Sequence, residues 1–307
     1  MRRVTRSKLS ENKLFQHSSI LVDEICEYLS WEGIDRLVDL TVGGGGHLEA
    51  LLRRFPRPRE IIAFDQDPAA LAAAQKRLKD FEPIRWVHSN FRHLSKHIEG
   101  PVDRLVVDLG VSSHQLDSAD RGFSFQKEGP LDMRMNPTDG EPVWKWLMRC
   151  GEEELAQILW VYGEERASRR LARRWVERRH PGIQTTTGFV EALGFELGSK
   201  DRTGRHPLTR VFQALRIHIN QEVQALEELL DQIPLKLQKS GRAAILTFHS
   251  LEDREVKWRL RGKLKALNKK VIIAKEGELK ANPRARSAKL RCFEAVENDS
   301  GDQIISV

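Results

Sequence analysis

The sequence predicts an α/β protein: a doubly wound parallel sheet that carries an inserted, mostly helical domain. Two observations lead to this prediction. Short apolar runs alternate with helical patterns over the first third of the chain, as they do in successive βαβ units. About a hundred residues then separate the fourth apolar run from the next one, which is far more than a βα loop needs.

Each predicted element rests on its own local pattern. The first strand leads into the glycine run Gly43–Gly46, the second ends at Asp65, and Asp67-Pro68 caps and begins the helix that follows it. The third and fourth strands are apolar enough to be buried in a parallel sheet. The predicted strands are 36–40, 61–64, 84–87, 105–107 and 243–248, and the predicted helices are 47–54, 69–78 and 207–230.

The spacing of these elements indicates two domains. We assign 1–112 and 206–307 to the sheet domain and 113–205 to the inserted helical domain, with 198–205 as its return linker. The N-terminus, 1–8, is interpreted as a short basic arm, and 257–291 as a basic tail.

Composition indicates polyanionic partners and a reducing compartment. The 307 residues contain 51 Lys and Arg against 44 Asp and Glu, a net charge of +7 that favours acidic ligands or nucleic acid. Three isolated cysteines form no metal-like spacing. We find neither a membrane-spanning run nor a secretory signal and expect a cytoplasmic protein. The oligomeric state stays open, a homodimer included.

The glycine run and Asp65 predict a nucleotide-like cofactor. Ligands of doubly wound sheets bind beyond the carboxyl ends of the strands, where a glycine turn lets the backbone approach closely. Asp65 follows Gly43 by 22 positions, near the spacing at which a carboxylate accepts hydrogen bonds from ribose hydroxyls. Leu48 stands where a dinucleotide fingerprint has a small residue, which counts against NAD. S-adenosylmethionine has no pyrophosphate, and Asp39 with nearby backbone amides suits its amino-acid end.

The fourth strand ends in a second polar segment, Asp108-Leu-Gly-Val-Ser-Ser-His-Gln115. Its place beside the first strand puts Asp108 and Gln115 over the reactive end of a cofactor, where a transfer reaction needs positioning groups. The alternative interpretation is a capped loop in which Asp108 is only a turn former.

Seven ordered motifs in this chain closely resemble those of the bacterial 16S rRNA cytosine-N4 methyltransferase family (RsmH/MraW), over about residues 17–293. The motifs are DLGVSS (108–113), RGFSF (121–125), GPLDMRM (129–135), YGEER (162–166), HP (206–207) with RVFQALRI (210–217), FHSLEDR (248–254) and NPRARSA (282–288). The resemblance implies a class I S-adenosylmethionine-dependent methyltransferase that acts on a cytosine amino group in the decoding region of the small-subunit rRNA.

The resemblance also implies site residues. The family's cofactor contacts fall on Gly45, Gly46, His47, Asp65, Phe91, Asp108 and Gln115, to which the turn adds Gly43. Phe91 would stack on or flank the adenine, its alternative being core packing. We expect Asp108 to act as a polar partner of the substrate amine or of the cofactor's methionine end, with Ser112 and Ser113 as helpers. Three positions, Ser19, Leu48 and His114, depart from the family pattern beside the site.

Several residues keep two interpretations. His249 could accept a proton or order a helix cap, and the cluster Phe123, Phe125, Met133 and Met135 could form a base-stacking lid or pack the insert. Methylation at cytosine N4 needs alignment with an activated donor and no covalent cysteine, so Cys150 is expected in the core. Three basic stretches are candidate RNA contacts: seven arginines between 166 and 179, then 257–270 and 284–291.

Two other functions compete with this interpretation. An NAD-dependent oxidoreductase is weakened by Leu48 and by the lack of a lysine four positions after either tyrosine. A ribosome-assembly factor that kept the fold without catalysis is the second.

Overall fold

The structure, a computed structural model, describes residues 19–195 and 206–296. The chain divides into two compact units, which we call the sheet unit (19–109 and 225–296) and the insert unit (110–195 and 206–224). The insert unit reaches residue 224, so it contains part of the chain that the sequence assigned to the sheet domain. The predicted basic arm 1–8 and linker 198–205 lie outside the described residues.

The strands of the described residues form one mixed sheet. They are β1 (Arg36–Asp39), β2 (Glu60–Asp65), β3 (Arg85–His88), β4 (Val102–Asp108), β5 (Leu237–Thr247), β6 (Lys265–Ala266) and β7 (Lys289–Glu294). The order across the sheet is β3-β2-β1-β4-β5-β7-β6. The first five strands are parallel, whereas β7 runs antiparallel to both β5 and β6. This confirms the predicted doubly wound sheet.

Helices connect these strands and build the insert unit. In chain order they are α1 (Val22–Tyr28), α2 (Gly46–Arg54), α3 (Pro68–Arg77), α4 (Leu94–His97), α5 (Ser113–Asp117), α6 (Val143–Arg149), α7 (Glu152–Gly163), α8 (Ser168–Arg178), α9 (Thr186–Ala192), α10 (Thr209–Ile219), α11 (Glu222–Lys236), α12 (Ser250–Arg259) and α13 (Glu276–Ala281). Short 3-10 turns cover Lys79–Phe81, Phe91–His93, Ala119–Arg121 and Pro283–Ser287. No helix among the described residues is both long and apolar enough to cross a membrane.

The segment interpreted as a basic tail, 257–291, includes strand β6 and the start of β7, so the tail prediction was wrong for these strands. Alternate residues of β7 are buried against β5, including Leu290 and Cys292. Its basic side chains are paired, since Lys289 and Arg291 both contact the Asp253 carboxylate, at 3.4 and 2.8 Å. Lys289 and Arg291, which look like part of a basic tail in the sequence, are thus outward positions of a strand.

The predicted helix 207–230 is two helices, α10 and α11, so its continuity was wrong. The chain turns at Asn220 and Gln221, and Gln221 has a positive φ of 51°. The Asn220 side chain accepts a hydrogen bond from the backbone N–H of Met135 and donates one to the carbonyl of Met133. An apolar periodicity that continues through the turn concealed this break from sequence reasoning.

The insert unit has its own apolar core. Trp175 and Phe189 are fully buried in it with ring centroids 5.0 Å apart. Phe123, Met133 and Met135 are buried in the same core, and Phe125 packs against it, which supports the packing interpretation of this cluster. Cys150 is buried there too, as predicted, and burial raises the pKa of its thiol to about 11.

The arginines of α8 are not one continuous free face. Arg174 and Arg178 donate to the carbonyls of Leu193 and Ala192 near the end of α9. Arg179 donates to the last carbonyls of α6, at Leu147 and Cys150. These side chains stabilise helix ends, where unpaired carbonyls favour cations. Three exposed members of the set form no hydrogen bond or ion pair with another described residue: Arg166, Arg169 and Arg170.

Candidate functional site

The glycine turn after β1 has the backbone that its residues require. Gly43 and Gly45 have positive φ values of 52° and 81°, and Gly45 is the N-cap of α2. A Cβ at Gly46 would lie 2.0 Å from the Ser19 Oγ, so any larger residue here would require the Ser19 side chain to move. Ser19, one of the three positions that depart from the family pattern, therefore lies directly against the glycine turn.

Asp65, the last residue of β2, holds this turn in place. One carboxylate oxygen accepts from the N–H of Gly43 at 2.8 Å and the other from the N–H of Asp67 at 2.9 Å. Burial raises the pKa of Asp65 to about 6, although both N–H groups favour its charged form. The N–H of Gln66 also favours the ionised carboxylate, so the backbone uses three of its roughly four acceptor positions and leaves about one for a ligand hydroxyl.

Two further carboxyl groups end the neighbouring strands. Asp39 ends β1 and accepts from the N–H of Thr41 at 3.1 Å, while the hydroxyl of Thr41 accepts from the N–H of Asp108 at 2.6 Å. Burial raises the pKa of Asp39 to about 7 against a lowering by nearby His47. Burial likewise raises the pKa of Asp108 to about 7, with the negative charge of Glu252 adding to it.

Asp108 has an unsatisfied oxygen. Its side chain is 30% exposed overall, yet Oδ1 is buried and has no hydrogen-bond partner among the described residues. Its Oδ2 lies 3.6 Å from Nδ1 of His47. An unpaired buried carboxylate oxygen is costly in a folded protein, and such atoms often mark sites that a ligand completes.

His47 is a buried, neutral side chain that joins the turn to the N-terminal segment. Its Nε2 lies 2.9 Å from the carbonyl of Ile20, which fixes Nε2 as the donor. Burial lowers the pKa of His47, so the ring is uncharged at neutral pH. No lysine or arginine in the described part of the chain pairs with Asp39, Asp65 or Asp108, and this edge of the sheet therefore has an excess of acidic groups.

Two positions singled out in the sequence, Phe91 and Leu48, contribute to the core of the sheet unit. Phe91 follows β3, is half-buried and packs against the core of the sheet unit, so both of its interpretations remain open. Leu48 is fully buried in the core below α2. The departure at Leu48 is explained by packing.

The predicted residues of the insert unit form a helix cap. The hydroxyl of Ser112 accepts from the N–H of Gln115 at 3.2 Å, and the Gln115 side-chain oxygen accepts from the N–H of Ser112 at 2.9 Å. Together they form the capping box of α5. Ser113 is the first residue of α5 and His114 the second, and both are half-buried. The capped-loop interpretation is thus confirmed for Ser112 and Gln115.

His249 is also a capping residue. Its ring accepts from the N–H of Glu252, and the Glu252 carboxylate accepts from the N–H groups of Phe248 and His249. This geometry confirms the predicted cap at the start of α12. Sequence reasoning missed two supporting residues at this edge, Thr41 and Glu252, because the hydrogen bond of Thr41 and the charge of Glu252 act on Asp108 from segments far apart in the chain.

Comparison with known proteins settles the family. A family model described as the MraW methylase family matches residues 14–296. The chain belongs to the MraW methylase family. Ribosomal RNA small subunit methyltransferase H from Nostoc punctiforme is 47% identical over 92% of this chain and 95% of its own length. The protein of the same name from Clostridium botulinum is 40% identical over 90% of this chain and 98% of its own length.

Solved structures give weaker similarity. An rRNA methylase from Streptococcus thermophilus is 13% identical with a TM-score of 0.43, covering 90% of this chain and 94% of that one. Family membership confirms the predicted resemblance, and with it the prediction of a methyltransferase built on a Rossmann-like sheet. It contradicts the oxidoreductase alternative.

Proposed function

We propose that this MraW-family protein transfers a methyl group from S-adenosylmethionine to the N4 amino group of a cytosine in the decoding region of 16S rRNA, within the small ribosomal subunit. The observation that carries the cofactor assignment is the set of three carboxyl groups, Asp39, Asp65 and Asp108, that end β1, β2 and β4. The family names and motifs carry the substrate assignment.

The residues of this edge fit S-adenosylmethionine. The cofactor bears a sulfonium and an ammonium, and a cationic ligand relieves the burial of uncompensated carboxylates. Asp65 is suited to the ribose hydroxyls, and the buried Oδ1 of Asp108 offers an unused acceptor. Gly43, Gly45 and Gly46 allow the close backbone approach. When bound, the cofactor supplies an activated, electrophilic methyl group.

Asp108 is the residue that we assign to the substrate amine. The N4 lone pair of cytosine is delocalised into the ring, so the enzyme must align the amine and accept a proton as the new bond forms. A carboxyl group whose pKa burial raises to about 7 is matched to proton acceptance at neutral pH. Ser112 and Ser113 follow as helpers, with Ser112 acting through the cap that orders the loop.

The cysteines favour attack by nitrogen over methylation at cytosine C5. The C5 reaction needs a thiolate that adds to the ring, and a reactive thiolate needs a lowered pKa and access. All three cysteines are buried, and burial raises the pKa of each, to about 11 for Cys150 and about 12 for Cys292. None of them suits that role.

The insert, 113–205, is the part of the chain that we assign to rRNA recognition. Arg166, Arg169 and Arg170 are exposed and suit phosphate contacts, whereas Arg174, Arg178 and Arg179 serve helix ends. An enzyme that acts on rRNA of the small subunit works in the cytoplasm.

Nucleoside mass spectrometry tests this function. Purified protein is incubated with labelled S-adenosylmethionine and small subunits from a strain that lacks the modification, and the rRNA is then digested to nucleosides. We expect N4-methylcytidine from the wild type and from Cys150→Ala, and a strong loss with Asp108→Ala. A C5-methylated product would overturn the assignment of the atom.

The same assay separates the alternatives. A non-catalytic assembly factor would bind small subunits without incorporating label. Calorimetry with S-adenosylmethionine and with NADH tests the cofactor independently, and tight binding of NADH alone would refute the cofactor assignment. Equal incorporation by the wild type and Asp108→Ala would refute the role of Asp108.

A further inference from the structure

An exposed tryptophan lies on the sheet unit, at the carboxyl end of α12. Trp258 is 54% exposed. The Nζ of Lys257 and the Cζ of Arg261 each lie 5.2 Å from the centroid of its ring, within the range of a cation–π interaction. A large aromatic ring that stays in water between two cations is a recurrent element of surfaces that bind single-stranded nucleic acid.

The positive charge around this ring is not compensated. Neither Lys257 nor Arg261 pairs with a carboxylate of the described residues. Arg254 is exposed and likewise unpaired within the described ranges, and it precedes Trp258 by four positions, so the two side chains are neighbours on the helix surface. We call Arg254, Lys257, Trp258 and Arg261 the α12 surface.

The cations next to this surface behave differently. Arg259 contacts the carboxylates of Glu227, Asp231 and Glu255 at 3.1 to 3.2 Å. Lys263 contacts Asp231 at 3.2 Å. Their charges are neutralised inside the molecule. The α12 surface is therefore a local positive patch with an aromatic ring at its centre, and this distinguishes it from a generally basic helix.

A second exposed tryptophan shows that exposure alone is not the argument. Trp160 on α7 is 60% exposed. No cation of the described residues lies over its ring, and Glu164 follows it by four positions. Exposure of a tryptophan therefore does not by itself define the α12 surface; the cations over the ring do.

We propose that the α12 surface binds a single-stranded segment of the RNA substrate, with one base stacked on Trp258 and the adjoining phosphates on Arg254, Lys257 and Arg261. The identity of the occupant rests on the proposed function. The flexible basic side chains can move from the ring to the phosphates, where charge-assisted hydrogen bonds are stronger than cation–π contacts. The uncompensated charge favours RNA over a protein or a second copy of the chain.

The contact is remote from the chemistry. α12 begins at the edge of the sheet where β5 ends, and Trp258 follows Ser250 by eight residues, about 12 Å along the helix. The bound base is therefore not the one that is methylated. A remote contact of this kind strengthens substrate binding, so its loss raises KM and leaves kcat nearly unchanged.

Binding of a labelled ten-nucleotide single-stranded RNA of mixed sequence, followed by fluorescence anisotropy, tests the proposal. We expect Trp258→Ala to weaken binding about 5- to 100-fold and Trp258→Phe to retain most of it. Leu235→Ala, which removes another exposed apolar side chain of the sheet unit, should bind as the wild type does. In the double variant Lys257→Gln, Arg261→Gln, the negative slope of log affinity against log salt should become less steep by about 1.4, because two phosphate contacts are lost.

Methyl transfer to small subunits gives the second measurement. Trp258→Ala should raise KM for the subunit with kcat and the Kd of S-adenosylmethionine unchanged. Unchanged RNA affinity in Trp258→Ala would overturn the proposal, as would an equal loss in Leu235→Ala. A changed sedimentation coefficient with unchanged RNA affinity would assign the surface to self-association instead. A wild type without methyl transfer would refute the proposed function, which makes the two failures distinguishable.

Discussion

The carboxyl edge of the sheet unit and the first helix of the insert unit both carry predicted site residues, but they satisfy their polar atoms differently. In the insert, Ser112 and Gln115 bond to each other's backbone and complete a cap. At the sheet edge, Asp39 is buried and Asp65 and Asp108 are partly buried, none of them has a cationic partner in the described chain, and burial raises the pKa of each. Groups satisfied internally build structure, whereas groups left unsatisfied await a ligand.

Substitution of Asp108 tests this comparison most strongly. Because Asp108 is assigned to the substrate amine, Asp108→Ala should lower kcat by about 100- to 10,000-fold. Ser112→Ala, which removes only a cap, should change kcat by less than about tenfold. Steady-state methylation of small subunits measures both, with circular dichroism as a check on folding. Comparable losses in the two variants would remove the functional distinction between the two regions.

Substitution of Asp65 is expected to weaken the binding of S-adenosylmethionine. Asp65→Asn keeps the size of the side chain but replaces a charged acceptor, and hydrogen bonds to charged groups contribute about 1.5–3 kcal/mol. The Kd of S-adenosylmethionine should therefore rise about 10- to 100-fold in calorimetry. Asp80, an acidic residue in the 3-10 turn after α3, offers a matched control, and Asp80→Asn should bind normally. An unchanged Kd in Asp65→Asn would exclude Asp65 from the cofactor site.

The sequence predicted the sheet edge well because its residues follow apolar runs directly. Asp65 and Asp108 come at the ends of buried strands, and the glycine turn is a local signal. The strand β7 was missed because its outward residues are basic and their partner, Asp253, lies on α12, more than 30 residues earlier in the chain. The unsatisfied oxygen of Asp108 was equally invisible, since its burial depends on chain segments that are distant in sequence.

The raised pKa of Asp65 makes cofactor affinity depend on pH. Burial raises this pKa to about 6 in the free protein, and only the ionised carboxylate is a full acceptor for ribose hydroxyls. The contribution of Asp65 to affinity should be nearly constant above pH 7 and weaken below pH 6, by at most about tenfold per pH unit. Calorimetry between pH 5 and 8 measures this change. In Asp65→Asn that part of the pH dependence should disappear, and its persistence would assign the titration to another group.

Substitutions in the two regions should change the free energy of unfolding in opposite directions. When the pKa of a carboxyl group is higher in the folded than in the unfolded protein, its ionisation costs stability in the folded state. Asp108 should therefore destabilise the protein increasingly as pH rises from about 4 to 7. Asp108→Asn should therefore raise the free energy of unfolding at pH 8 by about 1–2 kcal/mol, only part of the full linkage value because the side chain is 30% exposed. The gain should vanish near pH 4.

Ser112→Ala is the opposite case, since loss of a helix cap should lower the free energy of unfolding by about 1 kcal/mol at both pH values. Urea denaturation at pH 4 and pH 8 measures the two variants side by side. A destabilised Asp108→Asn at pH 8 would mean that the carboxylate is satisfied within the fold. The sheet edge would then be a structural cluster like the cap, without an acceptor left for a ligand.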